Sequence, residues 1–341
     1  MRYLITGHTG FKGSWMALWL HERGHSVHGL ALAPEASSLY VAASVDRVMD
    51  SSVVCDVRDA GSVLDAISAA RPDVVLHLAA QPLVRESYRD PRVTFETNVA
   101  GTFNVLQAVA ASDTIQAQVI VTTDKVYRNT GKPSGYVEQD PLGGNDPYSA
   151  SKAMADILTT SWARSFDGPP TAIVRAGNVI GGGDTSRDRL MPDIIEACQA
   201  GTTLHLRNPS STRPWQHVLD CLHGYLMLAD HLMKDESGST DRGAWNFGPD
   251  PVNCVPVSDI ATLAMRLWGS SSQWTTTSTD LLHEAAELRL DSTKARSALG
   301  WLDLLTLEEA VAWTVDWHQS IQSGADPQEI TLKQIRAFEL R

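Results

Sequence analysis

Two short constellations in this sequence have the residue types and spacing for acid–base chemistry. In Asp146-Pro147-Tyr148-Ser149-Ala150-Ser151-Lys152, Tyr148 and Lys152 stand one helical turn apart, which puts them on one face. A free phenol titrates near about 10, and a neighbouring ammonium favours its phenolate. Such a pair can take the proton of a substrate hydroxyl. Thr123-Asp124-Lys125 adds a hydroxyl able to hydrogen-bond the reacting oxygen, and a second acid–base pair. Alone, each has a plainer reading: a surface helix pair and a loop salt bridge.

A glycine-rich turn gives these groups a partner. Thr6-Gly7-His8-Thr9-Gly10-Phe11-Lys12-Gly13 lies between an expected strand and an expected helix. Gly7 permits the tight turn, Gly10 the approach of a pyrophosphate, and Gly13 close helix–sheet packing. The helix N-terminus then offers free N–H groups to phosphate. The spacing is G-x-x-G-x-x-G, and its place after the first strand points to a dinucleotide. The end of strand two, Leu30-Ala31-Leu32-Ala33, carries neither acid nor base, so it does not choose between NAD and NADP. Asp56 is a candidate for the adenine amino group, and equally a turn or cap residue before Ala60.

These groups need a scaffold, and the hydrophobic pattern supplies one. Strands are expected at Arg2–Thr6, Ser26–Leu32, Ser52–Asp56, Val74–Leu78, Val119–Thr122 and Thr171–Arg175. Helices are expected at Phe11–Arg23, Ala60–Ala70, Val93–Ala111 and Ser149–Phe166. The alternation predicts an α/β fold, a Rossmann-like doubly wound parallel sheet. Thr123 then follows the fifth strand, at the carboxyl edge where such sheets bind ligands. After Gly177 the pattern weakens into a smaller mixed α/β lobe. Helices are expected near Ile194–Ala200, Val218–Leu232, Val257–Trp268 and Leu307–Ser320, and Ser270–Thr279 is read as a surface loop. The division is 1–176 for the dinucleotide and 177–341 mainly for substrate, with some segments returning to the sheet.

Composition narrows the partners. The 341 residues are 43% hydrophobic and 20% charged, with formal net charge -12 and no Lys/Arg block, so nucleic acid is not an expected partner. No apolar run is long enough to span a bilayer, and the N-terminus lacks a signal-peptide pattern. The four cysteines are scattered, which fits a reduced, cytoplasmic chain. His21-Glu22-Arg23-Gly24-His25 matches the zinc motif H-E-x-x-H, but Gly24 is expected to end the helix before His25, so no metal is expected.

The chain resembles the extended short-chain dehydrogenase/reductases, the NAD-dependent epimerases and dehydratases, nearly end to end. The resemblance rests on Gly7–Trp15, His77–Arg85, Thr97-Asn98-Val99 and Thr123-Asp124-Lys125. It extends through Asp140–Gly144, Arg175–Asp184, Arg213–Leu219, Trp245–Pro249, Leu299–Trp301 and Thr314–Trp317. Among these enzymes it is most similar to the nucleotide-sugar 4,6-dehydratases with Lys at position 125. Relatives acting on TDP- and GDP-sugars usually carry Glu there, and 4-epimerases lack the pair.

The resemblance implies an internal redox on a nucleotide sugar, with CDP-glucose favoured and CDP-4-keto-6-deoxyglucose as product. Tyr148 would deprotonate the 4-hydroxyl, supported by Lys152 and Thr123, and NAD would accept the hydride. Asp124 would be the acid for the leaving 6-hydroxyl and Lys125 the C5 base. Lys125 lowers the Asp124 pKa while burial raises it, so the two are coupled. Gly7, Thr9, Gly10, Phe11, Gly13, Asp56, Val57, Leu78, Ala79, Ala80, Asn98, Thr122, Tyr148 and Lys152 would hold NAD. Gln81, Arg85, Asn178, Arg189, Arg207 and Arg213 would hold substrate, with Arg207 and Arg213 on the diphosphate. His217 is open between a structural and a site role. A homodimer through the Val93–Ala111 and Ser149–Phe166 helices is implied. The alternatives are a dehydratase or epimerase on another nucleotide sugar, and a non-catalytic NAD sensor, which would commonly lack the Tyr–Lys pair.

Overall fold

The computed structural model describes residues 1–234, 243–276 and 287–341. Its strands are β1 (Arg2–Thr6), β2 (Ser26–Ala31), β3 (Ser51–Val54), β4 (Val74–His77), β5 (Ala117–Val121) and β6 (Thr171–Ala176). They continue as β7 (Asn178–Ile180), β8 (Leu204–Leu206), β9 (Thr212–His217), β10 (Ala244–Phe247), β11 (Cys254–Pro256) and β12 (Trp274–Thr276). Seven strands form one sheet in the order β10-β6-β5-β4-β1-β2-β3, with every pairing parallel. The central strands β4, β5 and β6 are buried at every residue, because helices cover both faces. Strand order reverses between β1 and β4, so a crevice opens beyond their carboxyl ends. β10 comes from the second half of the chain and pairs with β6, in register Asn246 to Arg175.

The smaller lobe carries a three-stranded sheet, β11-β9-β7, and the pair β12-β8. Part of the expected surface loop at Ser270–Thr279 is therefore a strand: Trp274–Thr276 pairs in parallel with Leu204–Leu206. Its aromatic and β-branched residues favour that pairing although the strand stays exposed. Residues 277–279 of that expected loop lie outside the described residues.

Two helical expectations also change. The single helix at Val93–Ala111 is three pieces: Pro91–Phe95, a wider π turn at Glu96–Ala100, and Gly101–Ala110. The helix packs so tightly at Gly101 that a Cβ there would sit 2.7 Å from Val57 Cγ2. The Pro327–Glu339 helix was not foreseen. It is capped by Asp326 and docks on the first helix through Arg336 to Glu22, at 2.7 Å. The first helix spans Phe11–Glu22, so His25 falls beyond it, after Gly24 at φ +75°. Among the described residues no helix is long and apolar enough to cross a membrane. The main core runs between the sheet and the smaller lobe and includes the wholly buried Trp15, Trp19, Trp245 and Trp301.

Candidate active site

A cleft of about 660 Å³ lies over the carboxyl ends of the sheet and runs into the smaller lobe. One wall is the turn after β1. Gly7 adopts φ +76°, and a Cβ there would lie 2.9 Å from the Ala79 backbone nitrogen. A side chain on Gly13 would collide with the Gly7 carbonyl. The turn is thus shaped for close backbone approach, and it delivers the N-terminus of the Phe11–Glu22 helix to the cleft. A buried chain of hydrogen bonds fixes its base. Thr6 Oγ1 lies 2.7 Å from His77 Nδ1 and accepts from the Ala79 N–H at 3.0 Å, while His77 Nε2 meets Thr102 Oγ1 at 3.0 Å. Burial pulls His77 down to about 3, so the ring is neutral.

β5 delivers Thr123, Asp124 and Lys125 in a short 3-10 turn with Thr123 as its N-cap. Asp124 is 2% exposed. Its Oδ1 accepts from Thr123 Oγ1 at 2.9 Å, and its Oδ2 has no hydrogen-bond partner among the described residues. Burial raises its pKa above the usual carboxylate range, against Lys125, the Thr123 hydroxyl and Arg213. The charge of Lys125 opposes burial at Asp124, and burial dominates.

Tyr148 and Lys152 come from the Pro147–Ser165 helix. Proline at its first position and the Asp146 carboxylate, which accepts from the Ser149 N–H at 2.9 Å, start that helix at the cleft. Lys152 Nζ donates to the Val121 carbonyl at 2.8 Å. Burial pushes Tyr148 up to about 12, opposed by a hydrogen bond with Thr123. Burial also pulls Lys152 down to about 7, helped by the charge of Lys12. The polypeptide alone thus keeps the phenol protonated, and an added positive charge at the cleft would favour the phenolate.

Most expected site residues share this cleft. Gly7, Thr9, Gly10, Phe11, Gly13, Asp56, Val57, Leu78, Ala79, Ala80 and Thr122 line one part, with Thr123, Asp124, Lys125, Tyr148 and Lys152 at the middle. Arg85, Asn178, Arg189, Arg207 and Arg213 line the other. Gln81 and Asn98 are not on the wall. The Gln81 amide folds back onto Leu83 and Thr94. Asn98 is fully buried, donates to Ser151 Oγ at 2.9 Å and accepts from the Gln81 N–H at 2.9 Å. It braces the Tyr148–Lys152 helix against the chain after β4. His217 is also off the wall: it lies edge-on to Trp15 and Trp313 and caps the Val218–Met233 helix.

The structure adds residues the sequence did not single out. Arg58 forks onto Asp56 at 2.7 and 3.0 Å beside the glycine turn. The cap of the Ala60–Ala70 helix is Asp59, not Asp56. Asp188 sits between Arg207, at 3.3 Å, and Arg85, at 3.6 Å, and Asp184 holds Arg189 at 3.0 Å. Burial pushes Asp193, on the same wall, up to about 6. These acids are counter-charges to the arginines of the wall. Asp184 closes a stretch that carries the family resemblance, while Asp188 and Asp193 gave no signal in the sequence.

Known proteins are similar to this chain in sequence and fold. The chain is 42% identical to the CDP-glucose 4,6-dehydratase of Salmonella typhimurium (strain LT2) over 95% of its length and 92% of that protein. It is 26% identical to dTDP-glucose 4,6-dehydratase 1 of Escherichia coli (strain K12), over 96% and 95% of the two chains. It superposes on the dTDP-glucose 4,6-dehydratase DesIV from Streptomyces venezuelae, solved with NAD and TYD bound, with TM-score 0.80 and 25% identity. That match covers 96% of this chain and all of the other. The profile of the NAD dependent epimerase/dehydratase family matches residues 3–247. The match takes in the glycine turn, both acid–base constellations and the returning strand β10, and the chain belongs to the NAD dependent epimerase/dehydratase family.

Proposed function

We propose that this enzyme is a nucleotide-sugar 4,6-dehydratase that converts CDP-glucose to CDP-4-keto-6-deoxyglucose. One observation carries the reading: a buried carboxyl, Asp124, held toward its neutral form, shares one cleft wall with the Tyr148–Lys152 pair. A simple dehydrogenase needs the pair alone. An elimination also needs an acid for the departing hydroxyl. The CDP assignment is supported by the relative at 42% identity, which is named for that substrate.

The glycine turn fits NAD, because Gly7 and Gly13 let it fold tightly against Ala79 and onto itself, which presents the helix N-terminus to the cleft for a diphosphate. Gly7, Thr9, Gly10, Phe11 and Gly13 would hold the diphosphate, and Asp56 and Val57 the adenosine end. Leu78, Ala79, Ala80, Thr122, Tyr148 and Lys152 would hold the nicotinamide end. The chemistry supplied by bound NAD is storage of two electrons between C4 and C6 of the sugar, and its positive ring stabilises a phenolate.

Tyr148 takes the 4-hydroxyl proton while Thr123 holds that oxygen. The resulting 4-ketone acidifies the C5 proton, which Lys125 removes. Asp124 delivers its proton to the 6-hydroxyl, and water leaves. Lys125 then gives its proton back to C5 while the two electrons stored from C4 would return with hydrogen to C6, which completes the 4-keto-6-deoxy product. Arg207 and Arg213 hold the diphosphate, with Arg85 and Arg189 on the same wall. Residues 1–176 supply the cofactor site and 177–341 most of the substrate site.

The test incubates the protein separately with CDP-, TDP-, UDP- and GDP-glucose and weighs the products. Loss of one water from CDP-glucose, without added reductant, is expected. Loss from another nucleotide instead overturns the base assignment, and loss from none overturns the dehydratase reading. We further place the enzyme in the cytoplasm as a homodimer. Met154, Ile157 and Phe166 are 48, 56 and 58% exposed at one helix and its end, an apolar strip suited to a second copy. Light scattering should give twice the chain mass, and Ile157→Glu should give the monomer.

A further inference from the structure

We propose that Lys12 is a positioning residue for the proton-transfer pair, its ammonium held by Tyr225 and Cys221 on the cleft wall it shares with Tyr148 and Lys152. This inference rests on the dehydratase reading of that cleft.

Lys12 stands in the first turn of the Phe11–Glu22 helix, where the helix dipole already disfavours a cation. Its Nζ donates to Tyr225 Oη at 3.2 Å and lies 3.6 Å from Cys221 Sγ and 5.5 Å from the Tyr225 ring centre. Tyr225 and Cys221 are both wholly buried on the Val218–Met233 helix, and the Cys221 thiol donates to the Tyr225 hydroxyl at 3.0 Å. The clamp thus holds the charge of a cleft-lining residue against the buried Val218–Met233 helix. A lysine needed only to cover apolar surface would extend its head into water.

The groups that face the pair come from every element around it. Lys152 donates to the Val121 carbonyl of β5, the charge of Lys12 on the first helix lowers its pKa, and its own charge lowers that of His77 on β4. Tyr148 shares a hydrogen bond with Thr123 and feels the charges of Asp124, Arg189 and Asp146, and it acts in turn on Tyr225. His77 is neutral by burial, so Lys12 is the cation that acts on Lys152. At the buried Lys152 that repulsion adds to burial in favouring the neutral amine, as two neighbouring ammonium groups do elsewhere. Lys152 is then poised near neutrality, where it can release and rebind a proton beside Tyr148 as the hydroxyl proton of the substrate is passed on. The best proton acceptor titrates close to working pH.

The test compares wild type with Lys12→Gln, which keeps a hydrogen-bonding end but loses the charge, and Lys12→Arg, which keeps the charge. The readout is the pH midpoint of trace acetylation at Lys152, quantified by peptide mass spectrometry and independent of turnover. Lys12→Gln should raise the midpoint by about one pH unit, the size expected for one charge lost at an intermediate dielectric. Lys12→Arg should leave it within roughly 0.3 units of wild type. The ascending limb of turnover on CDP-glucose should move upward with the midpoint. An unmoved midpoint in folded Lys12→Gln overturns the proposal, as does an equal rise in Lys12→Arg. Should Lys12→Gln fail to fold, Tyr225→Phe is read in its place. Releasing the clamp should also raise the midpoint, and an unmoved value there overturns the proposal. A wild type that turns over no nucleotide sugar overturns the dehydratase reading, while the Lys152 midpoint remains measurable.

Discussion

Asp124 owes its usefulness to two facts that act together. Its carboxyl is buried, which raises its pKa, and one of its oxygens has no partner among the described residues. An unpaired buried oxygen costs stability unless a ligand meets it, so that atom marks where a leaving hydroxyl would dock. Asp124→Asn keeps the shape and removes the proton. C4 oxidation should persist, while water loss slows by about 100-fold or more, the usual worth of a positioned acid. A single turnover on CDP-glucose, followed by nicotinamide absorbance and by product mass, separates the steps. The expected result is reduced cofactor beside an intact sugar, and unchanged water loss would refute the acid role. Residue types and spacing already announced Asp124, Tyr148 and Lys152. Gln81 and Asn98 could not be placed that way, because an amide that lines a cleft and one that braces its wall read alike in sequence. Arg58 and Asp188 gave no signal, since an exposed ion pair and a substrate-side counter-charge look like any surface charge.

At the scale of elements, the cleft depends on the Pro147–Ser165 helix keeping its register against β5 and β6. Asp156, one turn beyond Lys152, meets Arg175 of β6 in a two-pronged pair at 2.7 and 2.8 Å, both side chains under 5% exposed. Arg175 also donates to Tyr127 Oη at 2.9 Å, just past Lys125, and Tyr127 Oη donates to Asn246 of β10 at 2.7 Å. One buried network therefore ties both acid–base constellations and the returning strand. Asp156→Ala leaves a buried guanidinium unpaired and should cost about 3–5 kcal/mol in denaturant unfolding. The double variant Asp156→Leu/Arg175→Met should recover most of that loss, because a well-packed apolar pair removes both desolvation costs. A double variant no more stable than Asp156→Ala would show that the network carries more than its charges. Periodicity found the strands that this network joins, since buried parallel strands are short apolar runs. It could not find the π turn at Glu96–Ala100, where Asn98 reaches Gln81 and Ser151 and Gly101 packs closely on Val57, nor strand Trp274–Thr276, whose partner lies about 70 residues away.

The whole molecule closes around its N-terminal half. The Pro327–Glu339 helix returns to the first helix, where Glu339 accepts from Trp19 Nε1 at 2.7 Å and from Arg23 at 2.6 Å. That closure was illegible because a polar helix with a narrow apolar stripe does not say what it covers. Packing on this scale also strips water from histidines that do no chemistry. His8, His77, His217 and His318 are held at about 4, 3, 3 and 4 by burial, against 6.5 when exposed. Below pH 6.5 the unfolded chain binds protons that the native protein refuses, so each such ring makes stability fall as pH falls. Asp193 and Asp220, raised to about 6 and about 7, act in the opposite sense over part of that window, so the net slope of the wild type blends both. His77→Gln isolates one ring, since an amide can still bond Thr6 or Thr102 but cannot titrate. The stability difference between wild type and His77→Gln should be constant above pH 6.5. Below it, the difference should shrink by about 1.4 kcal/mol per pH unit, the weight of one proton, down toward pH 3. Urea unfolding at several pH values reads this directly. Parallel wild-type and variant curves would mean that His77 is protonated in the folded protein, contrary to a ring that burial between β1 and the helix that carries Thr102 holds neutral.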